Sequence, residues 1–201
     1  MARSQVDLAN RALGYLARER IRDLDGDSPA AVHAKAAMDD AKEFVIEEYD
    51  WPQCRVVAPL VAVSGVALRG YTLAYAAPAD LVKVWFVGDF INKKTVGYEM
   101  GMSSDIANDR SYIFTNEAAV NIRYGSNRVS VARFSPQTYN LIAIKLAQLI
   151  CMPLTKDAKL HRYLGDLYKL EVSKVITSFA NAEPEVWDVD FIPEAITERS
   201  A

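Results

Sequence analysis

Ser135-Pro136-Gln137-Thr138-Tyr139-Asn140-Leu141-Ile142-Ala143-Ile144-Lys145-Leu146-Ala147-Gln148-Leu149-Ile150-Cys151 is the stretch that decides how this chain folds. A serine before a proline marks a helix start, because serine caps the first turn and proline is pre-set for it. Leu141, Ile142, Ala143, Ile144, Leu146, Ala147, Leu149 and Ile150 then leave little polar face. A helix over 137–151 that is apolar nearly all round belongs in the middle of a core.

The same start recurs at Ser28-Pro29 and predicts a helix over 29–49. Its buried stripe is Ala34, Met38, Ala41, Val45 and Tyr49, and its many alanines allow another helix to approach closely. Trp51-Pro52 ends it. Ser4, with Asp7 three residues on, predicts a first helix over 4–20 with Ala9, Leu13 and Leu16 inward. Met152-Pro153-Leu154 reads as a helix break, and Thr155 as the cap of a last helix over 156–180 carrying Leu164, Tyr168, Val172, Val175 and Phe179 on one face.

Between the second and third helices the pattern changes. Six glycines punctuate 55–134, and Tyr71 to Tyr75, Leu81 to Val87, Val120 to Tyr124 and Arg128 to Phe134 read as strands. Gly97 to Arg110 reads as the loosest loop. The fold class that follows is α+β: a four-helix bundle with a small antiparallel sheet inserted between helices 2 and 3, and an extended C-terminal tail. The folded domain is expected over 1–182 and the tail over 183–201.

That tail changes character. It holds two prolines, six acidic residues and one arginine, with isolated large apolar side chains that include Val186, Trp187, Phe191 and Ile192. Such a segment buries too little to fold alone, yet its anchors are costly to leave in water. It reads as a docking element. Its charge of −5 leaves +2 on the rest of a 201-residue chain whose net charge is −3, which argues against a general nucleic-acid binder. Cys54 and Cys151 form no CxxC pattern and read as buried thiols of a reducing compartment. No leader is expected at the start, and no apolar run approaches the roughly 18 residues a membrane helix needs. A chain made and assembled in a cytoplasm is the expectation.

Catalytic patterns are weak. His33 and His161 stand in no metal-ligand spacing. No GxSxG elbow and no phosphate loop occurs. Asp39-Asp40 and Glu47-Glu48 are adjacent on a helix and so diverge by about 100°. No cofactor or metal is called for. Two groups of arginines remain. Arg18, Arg20 and Arg22 straddle the end of helix 1, where they complement the helix dipole or meet DNA or an acidic neighbour. Arg123, Arg128 and Arg133 read as lying on neighbouring strands of the sheet, where they line a channel or face solvent.

Taken in order, several local patterns resemble the tail tubular protein A family of T7-type podoviruses. They are Ala12-Leu13-Gly14-Tyr15-Leu16, Arg20-Ile21, Leu24-Asp25-Gly26-Asp27-Ser28, and the Tyr49-Asp50-Trp51 junction. Tyr71, Tyr75, Pro78, Asp80, Leu81 and Val84 follow, then Ile122-x-Tyr124, Phe134-Ser135-Pro136, Leu146-Ala147 and Pro153-Leu154-Thr155. The similarity spans Val6 to Ala180. Ala17-Arg18-Glu19 departs from it, and the tail matches no motif of the family.

The resemblance implies a structural head-to-tail adaptor of a short-tailed bacteriophage virion, assembled in the host cytoplasm and not an enzyme. About twelve copies would close a ring that joins the portal to the tail nozzle and continues the DNA channel. Its partners would be its own copies, the portal protein, the nozzle (tubular protein B) and, transiently, phage DNA. Lateral contacts are expected on the alanine-rich helix 2 and the charged faces of helices 1 and 4, with the sheet toward the distal component. The acidic tail would bind the portal, a neighbouring subunit, or both. Two alternatives stand beside this reading. One is a tail-associated glycan hydrolase drafting carboxylates among Asp80, Asp89, Asp105 and Asp109. The other is a DNA-binding module built on the arginines.

Overall fold

The computed structural model describes residues 3–66, 68–89, 94–102, 110–118 and 120–182. Four helices, α1 (Gln5–Tyr15), α2 (Pro29–Glu48), α3 (Pro136–Thr155) and α4 (Ala158–Ala182), enclose one core. Between α2 and α3 the chain forms β1 (Arg55–Pro59), β2 (Ala62–Val63), β3 (Leu73–Ala76), β4 (Leu81–Asp89), β5 (Lys94–Thr95), β6 (Tyr98–Met102), β7 (Ser111–Thr115) and β8 (Asn121–Ser126).

These strands correct the expected architecture. They make two four-stranded antiparallel sheets, ordered β1-β8-β4-β5 and β2-β3-β7-β6, not one small sheet inserted in a bundle. The chain is a mixed α+β fold with a β-rich half of its own. Tyr75 and Ile113 from one sheet and Val87, Ile122 and Tyr124 from the other share a core that is separate from the helical one. A single small sheet would have to bury its apolar face on helices alone; two facing sheets bury theirs on each other. The outer face of the second sheet carries a smaller cluster, Ala74, Tyr112 and Phe114.

The helices pack around α3, which touches α1, α2 and α4. Leu141, Ile142, Ala143, Leu146 and Ala147 are fully buried, as an all-round apolar helix requires. Ser28 and Ser135 cap α2 and α3 by accepting from the backbone of Ala31 and Thr138. Ser4 and Asp7 form a reciprocal capping box on α1.

Three helix boundaries differ from expectation. The first helix stops at Tyr15, well short of Arg20. Arg18 N–H reaches Leu13 O at 3.0 Å and Ala17 N–H reaches Gly14 O at 3.2 Å, with Ala17 at φ 49°. This is a Schellman stop, disguised because alanine rather than glycine takes the left-handed position. Pro153 does not break α3; it lies in the last turn, where its missing N–H costs one bond, and Lys156 closes the helix at φ 57°. Asp157, not Thr155, caps α4, accepting from Lys159 N at 2.9 Å and Leu160 N at 3.0 Å.

Two segments of the β half also differ. Arg128 to Phe134 is no strand: after β8 the chain turns, and Val131–Arg133 forms a 3₁₀ turn. The stretch expected as loose loop contains β6, which pairs with β7 through Met100↔Ile113. The two halves meet where α2 lies on β4 and β8. A Cβ at Gly125 would come within 2.7 Å of the Ile46 side chain, so only glycine lets this strand pass under α2.

Candidate functional site

The arginines of the helix 1 region do not act as one cluster. Arg18 donates to Leu154 O at the end of α3, a favourable place for a cation near a helix C-terminus. Arg18 and Arg20 line a cleft of about 650 Å³ together with Ser28, Pro29 and Pro153. Arg22 is exposed and is not among the residues lining that cleft.

The second arginine group is divided among carboxylates at the junction of helices and sheets. Asp50, which follows α2, takes Arg55 Nε at 3.0 Å on one oxygen. Arg123 Nε lies 3.1 Å from the other oxygen, an ion pair without hydrogen-bond alignment. Arg128 lies beyond the end of β8, with its Nε 3.8 Å from Asp80 and most of its side chain in solvent. Arg133 is exposed in the 3₁₀ turn. Only Arg123 of the three lies on a strand, so the expected placement of all three on neighbouring strands does not hold.

Asp80 is held by its own side of this junction. Ser126 Oγ donates to it at 2.6 Å and Tyr124 Oη at 3.2 Å. Burial pushes its pKa up, but the Ser126 bond, its own backbone, the Tyr124 bond and Arg128 together outweigh that, and the carboxyl sits below its ordinary value. A depressed carboxylate pKa stabilises the fold above the unfolded value and loses that contribution as pH falls through the folded one. Asp80→Asn is therefore expected to cost about 1–2 kcal/mol at neutral pH. It should also flatten the loss of stability below about pH 4, where the wild-type carboxylate takes up its proton. Denaturant melts at pH 7 and pH 3 check this; equal losses at both would remove Asp80 from the junction.

Trp51 lies on the helical side of the same junction, with its backbone carbonyl accepting from Arg55 N at the start of β1. It is 1% exposed, donates from Nε1 to Val45 O at 2.6 Å, and meets Tyr49 and Phe179 edge-on at 5.1 and 5.4 Å. Cys54 lies beside it with its thiol pushed up to about 12 by burial, which leaves it unreactive.

The site that the sequence reading missed is a groove of about 500 Å³ where α2, α3 and α4 meet. Lys145 is the one charged residue of α3 and is only 9% exposed. Its Nζ sits 3.3 Å from the Phe44 ring centroid and 5.3 Å from that of Tyr168. Its hydrogen bond is a long one, 3.4 Å to Gln148 Oε1, and among the described residues it makes no ion pair. Burial lowers its pKa, with Glu48 opposing. Burial instead raises the pKa of Tyr168, whose hydroxyl is buried with no hydrogen-bond partner among the described residues. The ammonium thus has one long hydrogen bond and the hydroxyl none. The signal was present in the sequence as a lone lysine in an otherwise uncharged apolar helix.

The tail residues Val186, Trp187, Phe191 and Ile192 lie outside the described residues, as do Asp105 and Asp109. Among the described residues no cluster of metal-ligating side chains occurs, and no helix is long and apolar enough to cross a membrane. No protein-family model matches the chain, and no curated protein matches it.

Proposed function

We propose that this chain is a structural head-to-tail adaptor of a short-tailed bacteriophage, a ring protein that joins the portal to the tail nozzle and continues the DNA channel. One observation carries the reading. Residues that bear the resemblance, far apart in sequence, converge on one joint: Tyr49-Asp50-Trp51 at the end of α2, Asp80 before β4, and Tyr124 on β8. These residues lie where the helical half meets the β half, and a joined pair of unlike halves suits a spacer between two different assemblies.

Exposed apolar side chains support an assembling subunit. Val32 and Phe44 on α2, Leu149 and Met152 on α3, and Tyr163 and Leu170 on α4 are each more than a third exposed. The alanines of α2 are a poorer candidate for lateral contacts than the sequence suggested, because Ala31, Ala34 and Ala41 are fully buried within the chain. The arginine-based DNA-binding alternative is weakened by the pairing of Arg123 with Asp50. The hydrolase alternative is weakened by the commitment of Asp80 to Ser126 and Tyr124.

A cyclic ring makes a definite expectation in solution. Native mass measurement of the full chain, alone or with a portal preparation, should show a closed species of about twelve times the 22.3 kDa subunit. A strict monomer under both conditions would refute the reading.

A further inference from the structure

We infer that the groove between α2, α3 and α4 is a binding site for a carboxylate, received at the Lys145 ammonium. This site stands whether or not the chain closes a ring.

Two side chains on the groove wall lack what their chemistry requires. Lys145 and Tyr168 both line it, and both are at least nine-tenths buried. An ammonium has three N–H groups to place, and Lys145 places one, in the long bond to Gln148. The Tyr168 hydroxyl has no partner among the described residues. The rings of Phe44 and Tyr168 attract the ammonium but offer it no lone pair. Glu48 and Asp166 also line the groove, yet neither forms an ion pair with Lys145. A buried charge left in this condition is costly, and a carboxylate entering the groove would relieve it through a charge-assisted hydrogen bond.

The charge of the lining selects among anions. Lys145, Arg162 and Lys169 against Glu48 and Asp166 leave one net positive charge, with His161 neutral. A carboxylate matches that with its single negative charge. A phosphate monoester, at about −1.5 to −2 near neutral pH, would bring excess charge against the two resident carboxylates. Phe44, which is 42% exposed, gives an apolar surface for the carbon stem behind the ligand's carboxylate. The volume of about 500 Å³ lies within the range of about 300–1,000 Å³ typical of small-ligand sites. A free small acid and an acidic side chain of a protein share this chemistry, and the experiment below separates them.

The test uses the full chain. Nitrogen-15 protein is titrated with sodium acetate against chloride at constant ionic strength, and the Lys145 ammonium and Gln148 side-chain amide signals are followed. A saturable shift of both is expected, with a smaller one from inorganic phosphate. Lys145→Met should lose the Gln148 response, while Lys174→Met, on α4 outside the groove, should keep it; thermal melts verify that both variants fold. A protein carboxylate already seated in the groove would exclude acetate. A zero-length carbodiimide, which joins an amine to a carboxylate in contact, then links it to Lys145. Mixing light and heavy copies, with and without the portal, tells whether that carboxylate comes from the same chain, a second copy or the portal. Lys35 and Asp25, paired at 2.6 Å, serve as the positive control for linking. Saturation by acetate with no link assigns the site to a free small acid, and a link assigns it to a protein carboxylate. A Lys145 silent in both measurements while Lys35 links to Asp25 would overturn the site. So would a link to Glu48 alone, or a stronger response to phosphate than to acetate. None of these outcomes touches the ring reading, which the native mass decides.

Discussion

Trp51→Ala should destabilise the protein by about 3–5 kcal/mol, the largest effect of any single substitution considered. The side chain is fully enclosed, so its removal leaves a large cavity. It also strands the Val45 carbonyl, which accepts the indole N–H at 2.6 Å, and removes the ring contacts to Tyr49 and Phe179. Phe179 comes from α4 and Val45 from α2, so the loss falls on the helical core. Against a typical total of about 5–15 kcal/mol, this is a large fraction. Trp51→Phe keeps most of the apolar area and loses only the hydrogen bond, at about 1–2 kcal/mol. Denaturant unfolding of the three proteins checks the order. An alanine variant with an unchanged midpoint would show that Trp51 does not anchor the helical core.

Deleting Glu183 to Ala201 should abolish stable binding to portal-capped heads while the remaining domain stays folded. The deletion removes none of the described core residues. It removes Val186, Trp187, Phe191 and Ile192, and large aromatics dominate contacts of this kind. Losing anchors together worth about 4 kcal/mol weakens binding about a thousandfold. Co-sedimentation with heads measures the binding, and circular dichroism with a thermal melt measures the fold. Undiminished binding of the truncated chain would sink the docking role of the tail.

Much of the helical half was legible because its signals are local. Ser4, Ser28 and Ser135 each cap the helix they announce, and the uninterrupted apolar run of α3 places it in the core. Boundaries failed where a rule was met by an unusual residue. Ala17 takes a left-handed position that usually advertises itself as glycine, and Pro153 sits in a last turn that tolerates it. The second sheet was illegible for a different reason. β2 has only two residues, and Tyr98-Glu99-Met100-Gly101-Met102 in β6 alternates over only five residues beside Gly97, with its strand character fixed by pairing with β7. The arginines were visible as charges, but their partners were not. Asp50 meets Arg123 and Asp80 meets Arg128 only through pairings between distant segments. Lys145 was the opposite case: its oddity was plain in the sequence, and its depth between Phe44 and Tyr168 required the fold.

The proposed assembly is a ring at the neck of a virion. Imaging the assembled particle and counting copies of this chain tests it most directly. A single closed ring of about twelve subunits between portal and nozzle is the predicted result. Absence of the chain from the neck, or its presence there as isolated copies that do not close around the DNA channel, would contradict it.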